Sequence, residues 1–319
     1  MVTSRAEDSE LIRRKALHFG FSHVGFARAE ALDAEAGLLR EWLARGYQAG
    51  MQWMERNLAR RVDPRNIVEG AESVICLAMN YYTPHAHSGD KRHGKISRYA
   101  WGEDYHDIMD TRLRAFEEWL QVEFPGVRSR RYVDTGPVME KAWAVRAGIG
   151  WLGKHSNVIT RDRGSWIFLG ELITTLPLDY DEAIGDYCGT CTACIDACPT
   201  AAITEPYVVD SRRCIPYMTI EHRGDELPEE SREGLDRWVF GCDICQDVCP
   251  WNSFASETQE EAFQPREGAQ EPDLRALALI SDEEFRARFR GSPVARAKAR
   301  GLRRNARTVL AQQESYTDR

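Results

Sequence analysis

An α+β architecture is the fold class this sequence predicts, and three observations predict it. Helical and strand-like patterns both occur in the first 178 residues, without the regular alternation that a doubly wound parallel sheet requires. Eight of the nine cysteines crowd into residues 183–255, a stretch with little hydrophobic periodicity of its own. After a polar, loop-like segment over 256–272, helical spacing returns from 273 to 313.

In the first part, Leu38, Leu39, Trp42 and Leu43 fall on one predicted helical face, as do Met109, Leu113, Phe116 and Leu120. Val74–Met79, Arg131–Asp134, Asn157–Thr160 and Ser165–Ile173 read as strands. Pro177 and the acids Asp179, Asp181 and Glu182 mark a linker. The expected division is therefore residues 1–178 as an α+β domain, 179–255 as a cysteine-rich module, and 256–319 as a linker with a short helical end. Two or three domains suit 319 residues. In the cysteine-rich module, bound metal is expected to take the place of a large core.

Hydrophobic residues make up 43% and charged residues 29%, a profile that excludes a disordered or membrane-spanning chain. The longest apolar runs, such as Val74–Met79, are strand-sized and far short of the roughly 20 residues that cross a bilayer. Arg13 and Arg14 form a twin-arginine pair, but acids precede it and no apolar stretch follows, so no export signal is expected and a cytoplasmic location is. In a reducing compartment, clustered cysteines point to metal rather than disulfides. The net charge of −8 argues weakly against non-specific nucleic-acid binding. Yet residues 286–307 hold nine Lys or Arg and no acid, a block expected to meet phosphates.

Cys188, Cys191, Cys194 and Cys198, with Pro199, spell C-x2-C-x2-C-x3-C-P, the bacterial ferredoxin spacing for a 4Fe–4S cluster. Short spacers let three thiolates converge on one cube while the fourth cysteine serves a second. Cys242, Cys245 and Cys249, with Pro250, form the second set, and Cys214 completes the count. The pattern predicts two 4Fe–4S clusters. Cys188, Cys191, Cys194 and Cys249 go to one, and Cys198, Cys214, Cys242 and Cys245 to the other. This is not zinc spacing, and haem c would need histidines where Thr192 and Gln246 stand. Cys76, inside an apolar run, reads as a buried core thiol.

Two motifs are set aside. Gly148-Ile149-Gly150-Trp151-Leu152-Gly153 matches G-x-G-x-x-G, but a helical pattern precedes it and a strand-like one follows, the reverse of a dinucleotide site. With Lys154 it approaches a P-loop, but His155 stands where Ser or Thr must hold magnesium. These glycines are expected to allow a tight backbone approach. Asp104-Tyr105-His106 starts like D-x-H-x-x-G, the motif that gives cobalamin a histidine ligand, but Met109 replaces the glycine.

Several stretches together resemble the epoxyqueuosine reductases. They are Arg61-Val62-Asp63-Pro64, residues 97–107 (SRYAWGEDYHD), Val133-Asp134-Thr135-Gly136-Pro137, residues 147–154 (AGIGWLGK) and residues 214–221 (CIPYMTIE). The resemblance covers roughly residues 7–310. It implies a nitroreductase-like first domain that holds base-off cobalamin, with a ferredoxin-like module feeding it electrons. The implied reaction removes the epoxide oxygen of epoxyqueuosine at the wobble position of tRNA, using cob(I)alamin, two electrons and two protons. It implies Asp134 as proton donor, with burial beside the cofactor raising its pKa. Corrin contacts carried over the same way fall on Arg61, Ser97, Asp134, Val158, Leu169, Pro216, Asp243 and Ile244. Family members often have serine where Pro216 stands, so that contact is limited to backbone or packing.

The implied partners are tRNA with a GUN anticodon and an external electron donor such as flavodoxin or ferredoxin; a monomer is expected. Longer relatives continue into HEAT-like repeats, of which the end of this chain resembles only a start. Two rival functions are a cobalamin-dependent reductive dehalogenase and an iron–sulfur electron-carrier subunit.

Overall fold

The computed structural model describes residues 4–317. Its centre is an antiparallel sheet of four strands in the order His23–Arg28, Ser73–Asn80, Ile167–Thr174, Ser129–Tyr132. Every residue of Ser73–Asn80 is buried, as a continuous apolar run requires when both faces of a strand are covered. Alternation divides that strand between two cores. Ile75, Leu77 and Met79 pack with Ile12, Met109, Leu113, Phe116 and Leu120. Val74, Cys76 and Ala78 pack with Trp143, Ala144 and Val158 on the other side.

The helix Tyr105–Glu123 buries the predicted stripe Met109, Leu113, Phe116 and Leu120, and Asp104 caps its start by accepting the His106 N–H. In the helix Asp33–Ala44 the expected face is only half right: Leu39 is buried, but Leu38 is 66% exposed. Neighbouring helical residues point about 100° apart, and here only Leu39 turns into the core. The strand expected over 131–134 ends at Tyr132, leaving Asp134 beyond it at φ +53°. The strand expected over 157–160 is the pair Val158–Ile159, bonded to Trp151–Leu152. The edge strand His23–Arg28 was not read from the sequence. Its Gly25 lets Ala147 approach: a Cβ there would lie 2.0 Å from the Ala147 carbonyl oxygen.

The largest correction concerns the cysteine-rich module. Its residues 215–240 do carry a core, made with distant partners: Ile215, Met218, Trp238 and Phe240 pack with Ile96, Trp101, Leu274, Leu277 and Leu302. The strand Trp238–Phe240 pairs in parallel with Lys95–Ile96. The helix Lys298–Thr317 seals this core, and its buried Asn305 donates to the carbonyls of Thr219 and Val239 at 2.8 Å each.

The basic block is also largely committed within the protein. Arg296 pairs with Glu221, Arg300 with Asp225 and Arg303 with Asp282. Arg304 is 7% exposed and donates to the carbonyls of His222, Gly224 and Met218. Arg307 donates to Ala278 O at 3.0 Å. Charge counting along the sequence could not see these partners. Among the described residues no helix is long and apolar enough to cross a membrane.

Candidate active site

Two short helices, Ala193–Asp196 and Ile244–Asp247, carry Cys194 and Cys245 and pack against each other. The thiol of Cys194 has Cys249, Cys188 and Cys191 as its electrostatic neighbours. Cys245 has Cys214 and Cys198 among its neighbours, and Cys242 has Cys245 and Cys214. Cys194 and Cys245 are also near enough to sense each other. Among the described residues no group of cysteines closes on a single metal ion. A cube of irons needs its thiolates wider apart than a lone ion does. Cys76 is buried in the central strand, apart from these cysteines.

The glycine stretch proves to be a scaffold for this module. Gly148 has φ +68°, and a Cβ on Gly150 would lie 2.2 Å from the Ile159 carbonyl oxygen. Beyond them, buried Lys154 donates from Nζ to the carbonyls of Gly189 at 2.6 Å and Cys191 at 2.9 Å. The lysine that resembled a P-loop residue therefore fastens the first cysteine loop.

Between module and sheet lies a cavity of about 240 Å³. Three aromatic side chains, Tyr81, Tyr105 and Phe168, form one wall: Tyr105 stacks on Phe168 at 4.2 Å and Phe168 on Tyr81 at 4.3 Å. Gln246, between Cys245 and Cys249, faces the cavity from the cysteine side. Asp134, Glu140, Lys141, Asn157, Val158 and Leu169 complete much of the lining. Lys141 is anchored by donating to Ser156 O and Asn157 Oδ1, and feels the charges of Cys245 and Cys214.

Of the predicted site residues, Asp134, Val158 and Leu169 line this cavity; Arg61, Ser97, Pro216, Asp243 and Ile244 lie outside that lining. Ser97 and Asp243 nevertheless meet, Ser97 Oγ donating to the buried Asp243 carboxyl, which also accepts the Arg98 N–H at 2.7 Å. Burial pushes that carboxyl up to about 7. Arg61 is partly desolvated, and its Nε meets no partner among the described residues. Pro216 stands before the helical turn Tyr217–Glu221, and Tyr217 Oη accepts the Gly50 N–H at 2.9 Å, tying that turn to the 48–61 segment.

Asp134 corrects one expectation. Its carboxyl is 58% exposed, and it is held below the usual carboxylate range, not raised. The cause is His106, whose Nε2 lies 3.1 Å from Asp134 Oδ2 while Nδ1 lies 2.7 Å from Asp104 Oδ1. Burial opposes charge on this imidazole, but the two carboxylates outweigh it and raise its pKa to about 9. Glu140 holds the turn from the other side, accepting the Asp134 N–H at 2.5 Å. Behind it, neither oxygen of the fully buried Glu171 meets a donor among the described residues. Its neighbour is Glu140, and burial raises both carboxyls. Two buried carboxyls share a bond only when one keeps its proton.

Sequence reasoning missed Tyr81, Tyr105, His106, Glu140, Lys141 and Gln246. Tyr105 and His106 lay inside the 97–107 stretch that carries the resemblance, but were weighed individually only as a failed cobalamin-ligand motif, where the side-chain spacing Asp-x-His was the available signal.

A family model for a "4Fe-4S double cluster binding domain" matches residues 187–252. A double-cluster module set against a cleft of ionisable and aromatic side chains defines an iron–sulfur oxidoreductase. A second family model, "Epoxyqueuosine reductase QueG, DUF1730", matches residues 61–135. The epoxyqueuosine reductase of Synechocystis sp. is 51% identical over 87% of this chain and 96% of its own length. That of Gloeobacter violaceus is 47% identical, over 94% of each chain. A crystal structure of an epoxyqueuosine reductase with an epoxyqueuosine-modified tRNA-Tyr stem loop matches with a TM-score of 0.90 at 31% identity, over 97% of this chain and 82% of the other. A Bacillus subtilis epoxyqueuosine reductase, solved with its catalytic loop swung out of the active site, matches with a TM-score of 0.91 at 30% identity, over 98% and 84%. This chain belongs to the epoxyqueuosine reductase family.

Proposed function

We infer that this protein reduces epoxyqueuosine to queuosine at the wobble position of tRNA. The observation that carries the inference is the shared wall of the cavity: Gln246 stands between Cys245 and Cys249, so electrons reaching that module arrive beside the cleft that Asp134 faces. The relative bound to a modified stem loop supports RNA as the substrate.

In this reading two 4Fe–4S clusters are held by Cys188, Cys191, Cys194 and Cys249 and by Cys198, Cys214, Cys242 and Cys245. Residues 1–178 form a nitroreductase-like domain, 179–255 the ferredoxin-like module, and 256–319 the linker and helical end. Base-off cobalamin would be held in the cleft between the first two. The lining offers aromatic and aliphatic side chains that would suit the faces of a flat macrocycle, and outside it Arg61, which feels the charge of Glu140 and whose Nε meets no partner among the described residues, would suit an amide of its rim. Val158 and Leu169 would pack against it, with Arg61, Ser97, Pro216, Asp243 and Ile244 as outer contacts. When bound, this cofactor supplies the two-electron reducing centre.

The chain's own residues do the rest. Tyr105, Phe168 and Tyr81 shield one side of the cleft from water. Glu140 fixes the turn that carries Asp134. Asp134 delivers a proton to the epoxide oxygen, which leaves poorly as an alkoxide and much better as a hydroxyl. The enzyme works as a cytoplasmic monomer on tRNAs with a GUN anticodon and takes electrons from a donor such as flavodoxin or ferredoxin. The test is anaerobic reconstitution, a metal count, and nucleoside mass spectrometry of a stem loop bearing epoxyqueuosine. Conversion to queuosine with cobalt bound beside about eight irons, the content of two such clusters, is the expected result. Full iron without cobalt, and no conversion, would refute it.

A further inference from the structure

Removing an epoxide oxygen as water consumes two protons, and Asp134 brings at most one. The reaction balances as follows. An electron pair enters from the reductant fed by the iron–sulfur module, one C–O bond breaks, and the oxygen takes a proton to become a hydroxyl. The second C–O bond then breaks as the C=C bond forms, and the hydroxyl leaves with another proton as water. Two electrons and two protons enter, and an alkene and one water leave.

We propose that His106 recharges Asp134, so that the chain Asp104–His106–Asp134 relays protons from the outer cleft to the epoxide oxygen. The proposal rests on Asp134 being the proton donor. His106 is placed for the task on three counts. Its ring bridges the two carboxylates, 2.7 Å from Asp104 and 3.1 Å from Asp134. It is held in that plane by Tyr105, stacked at 4.0 Å, and Tyr105 is itself stacked on Phe168 inside the cavity. And Asp104 and His106 line a second, outer cleft that does not belong to the aromatic cavity. Asp134 thus stands in the inner cavity while its partner stands in the outer one.

The charge state fits a relay at rest. The imidazole carries the proton, raised to about 9, and Asp134 is ionised. A transfer of one proton across the 3.1 Å contact arms Asp134. After transfer, Asp104 keeps the ring oriented by accepting from Nδ1. The ionisable groups facing the pair are Asp104 and Tyr105 at the start of the helix, Tyr99 before it, Glu140 beyond the Asp134 turn, and Arg296 from the C-terminal part. Asp107 and Asp110 look into the outer cleft.

The experiment compares single-turnover reduction by the pre-reduced holoenzyme in the parent, His106→Ala, His106→Gln and Asp134→Asn, with iron and cobalt quantified in each sample. The relay predicts that His106→Ala and His106→Gln slow the reaction about 10²-fold, the lower range of general-acid effects, with metal content retained. It also predicts that free imidazole restores His106→Ala, and that the parent's rate falls as pH rises through about 9. Histidine-selective NMR of the protein gives a readout independent of turnover: the His106 ring should titrate well above an ordinary histidine in the parent and move down in Asp134→Asn. An inactive Asp134→Asn alongside a His106→Ala of parental rate and pH profile would overturn the relay and leave the donor intact. A slow variant that imidazole does not restore, with an ordinary His106 titration in the parent, would overturn it too. An active Asp134→Asn would instead refute the donor assignment itself.

Discussion

Replacing Arg304 with methionine removes a guanidinium that binds three backbone carbonyls, His222 O at 2.9 Å, Gly224 O at 2.8 Å and Met218 O at 2.8 Å. Each bond to a charged donor contributes about 1.5–3 kcal/mol, so the gross loss is roughly 4.5–9 kcal/mol. Two terms offset it. Burial already disfavours this charge, lowering its pKa to about 10, and the methionine stem gains about 1.5–3 kcal/mol of apolar burial. The net expectation is a loss of about 3–5 kcal/mol, in line with other broken buried charge networks. Anaerobic urea unfolding of the holoenzyme, followed by tryptophan fluorescence, measures it, and a salt titration of stem-loop binding runs in parallel. The expected result is a much lower midpoint with an unchanged salt slope for the folded fraction. A loss under about 1 kcal/mol together with a shallower slope would refute the structural role and return Arg304 to the phosphate-binding surface, since each lost phosphate contact flattens the slope by about 0.7–0.9.

Cys191→Ala should lose iron from the first foursome, measurable by iron count and visible spectrum; full iron in a soluble variant would contradict the ligand assignment. Gly150→Ala should destabilise by about 1–3 kcal/mol, because its Cβ meets the Ile159 backbone and something must shift; an unchanged unfolding midpoint would show that the turn gives way freely. The His106–Asp134 pair should give a two-sided pH profile in the melting-temperature difference between parent and His106→Gln. A raised imidazole contributes fully below its unfolded value of about 6.5 and is lost as pH rises through about 9, whereas a lowered carboxylate contributes above about 3.9 and is lost as pH falls further. The difference should therefore be largest between about pH 4 and 6.5, and a flat profile would contradict the pairing.

The legible parts of the fold were those written in local pattern. Ser73–Asn80 announces itself as a buried strand, the Met109–Leu120 stripe as a helix face, and the cysteine spacing as a double-cluster module. What stayed hidden depends on distant partners. Nothing near 215–240 shows that its core is completed by Trp101 and by the last helix. The basic block looked free because Glu221, Asp225 and Asp282 are remote or outside the run. Asp134 was legible as a candidate, but the sign of its pKa shift was not, because the deciding group, His106, lies 28 residues away and reaches it only through the fold.

The central claim, that the Asp134 cleft delivers the proton which opens the epoxide, is tested most directly by Asp134→Asn. The side chain is nearly isosteric, so both metals should stay bound, yet an amide has no proton to give in the usable range. The measurement is single-turnover conversion of epoxyqueuosine stem loop by the pre-reduced variant, with iron and cobalt counted in the same sample. Parental occupancy and a rate lower by about 10²–10⁴ are expected. Full occupancy with a rate within about threefold of the parent, far inside that range, would contradict it.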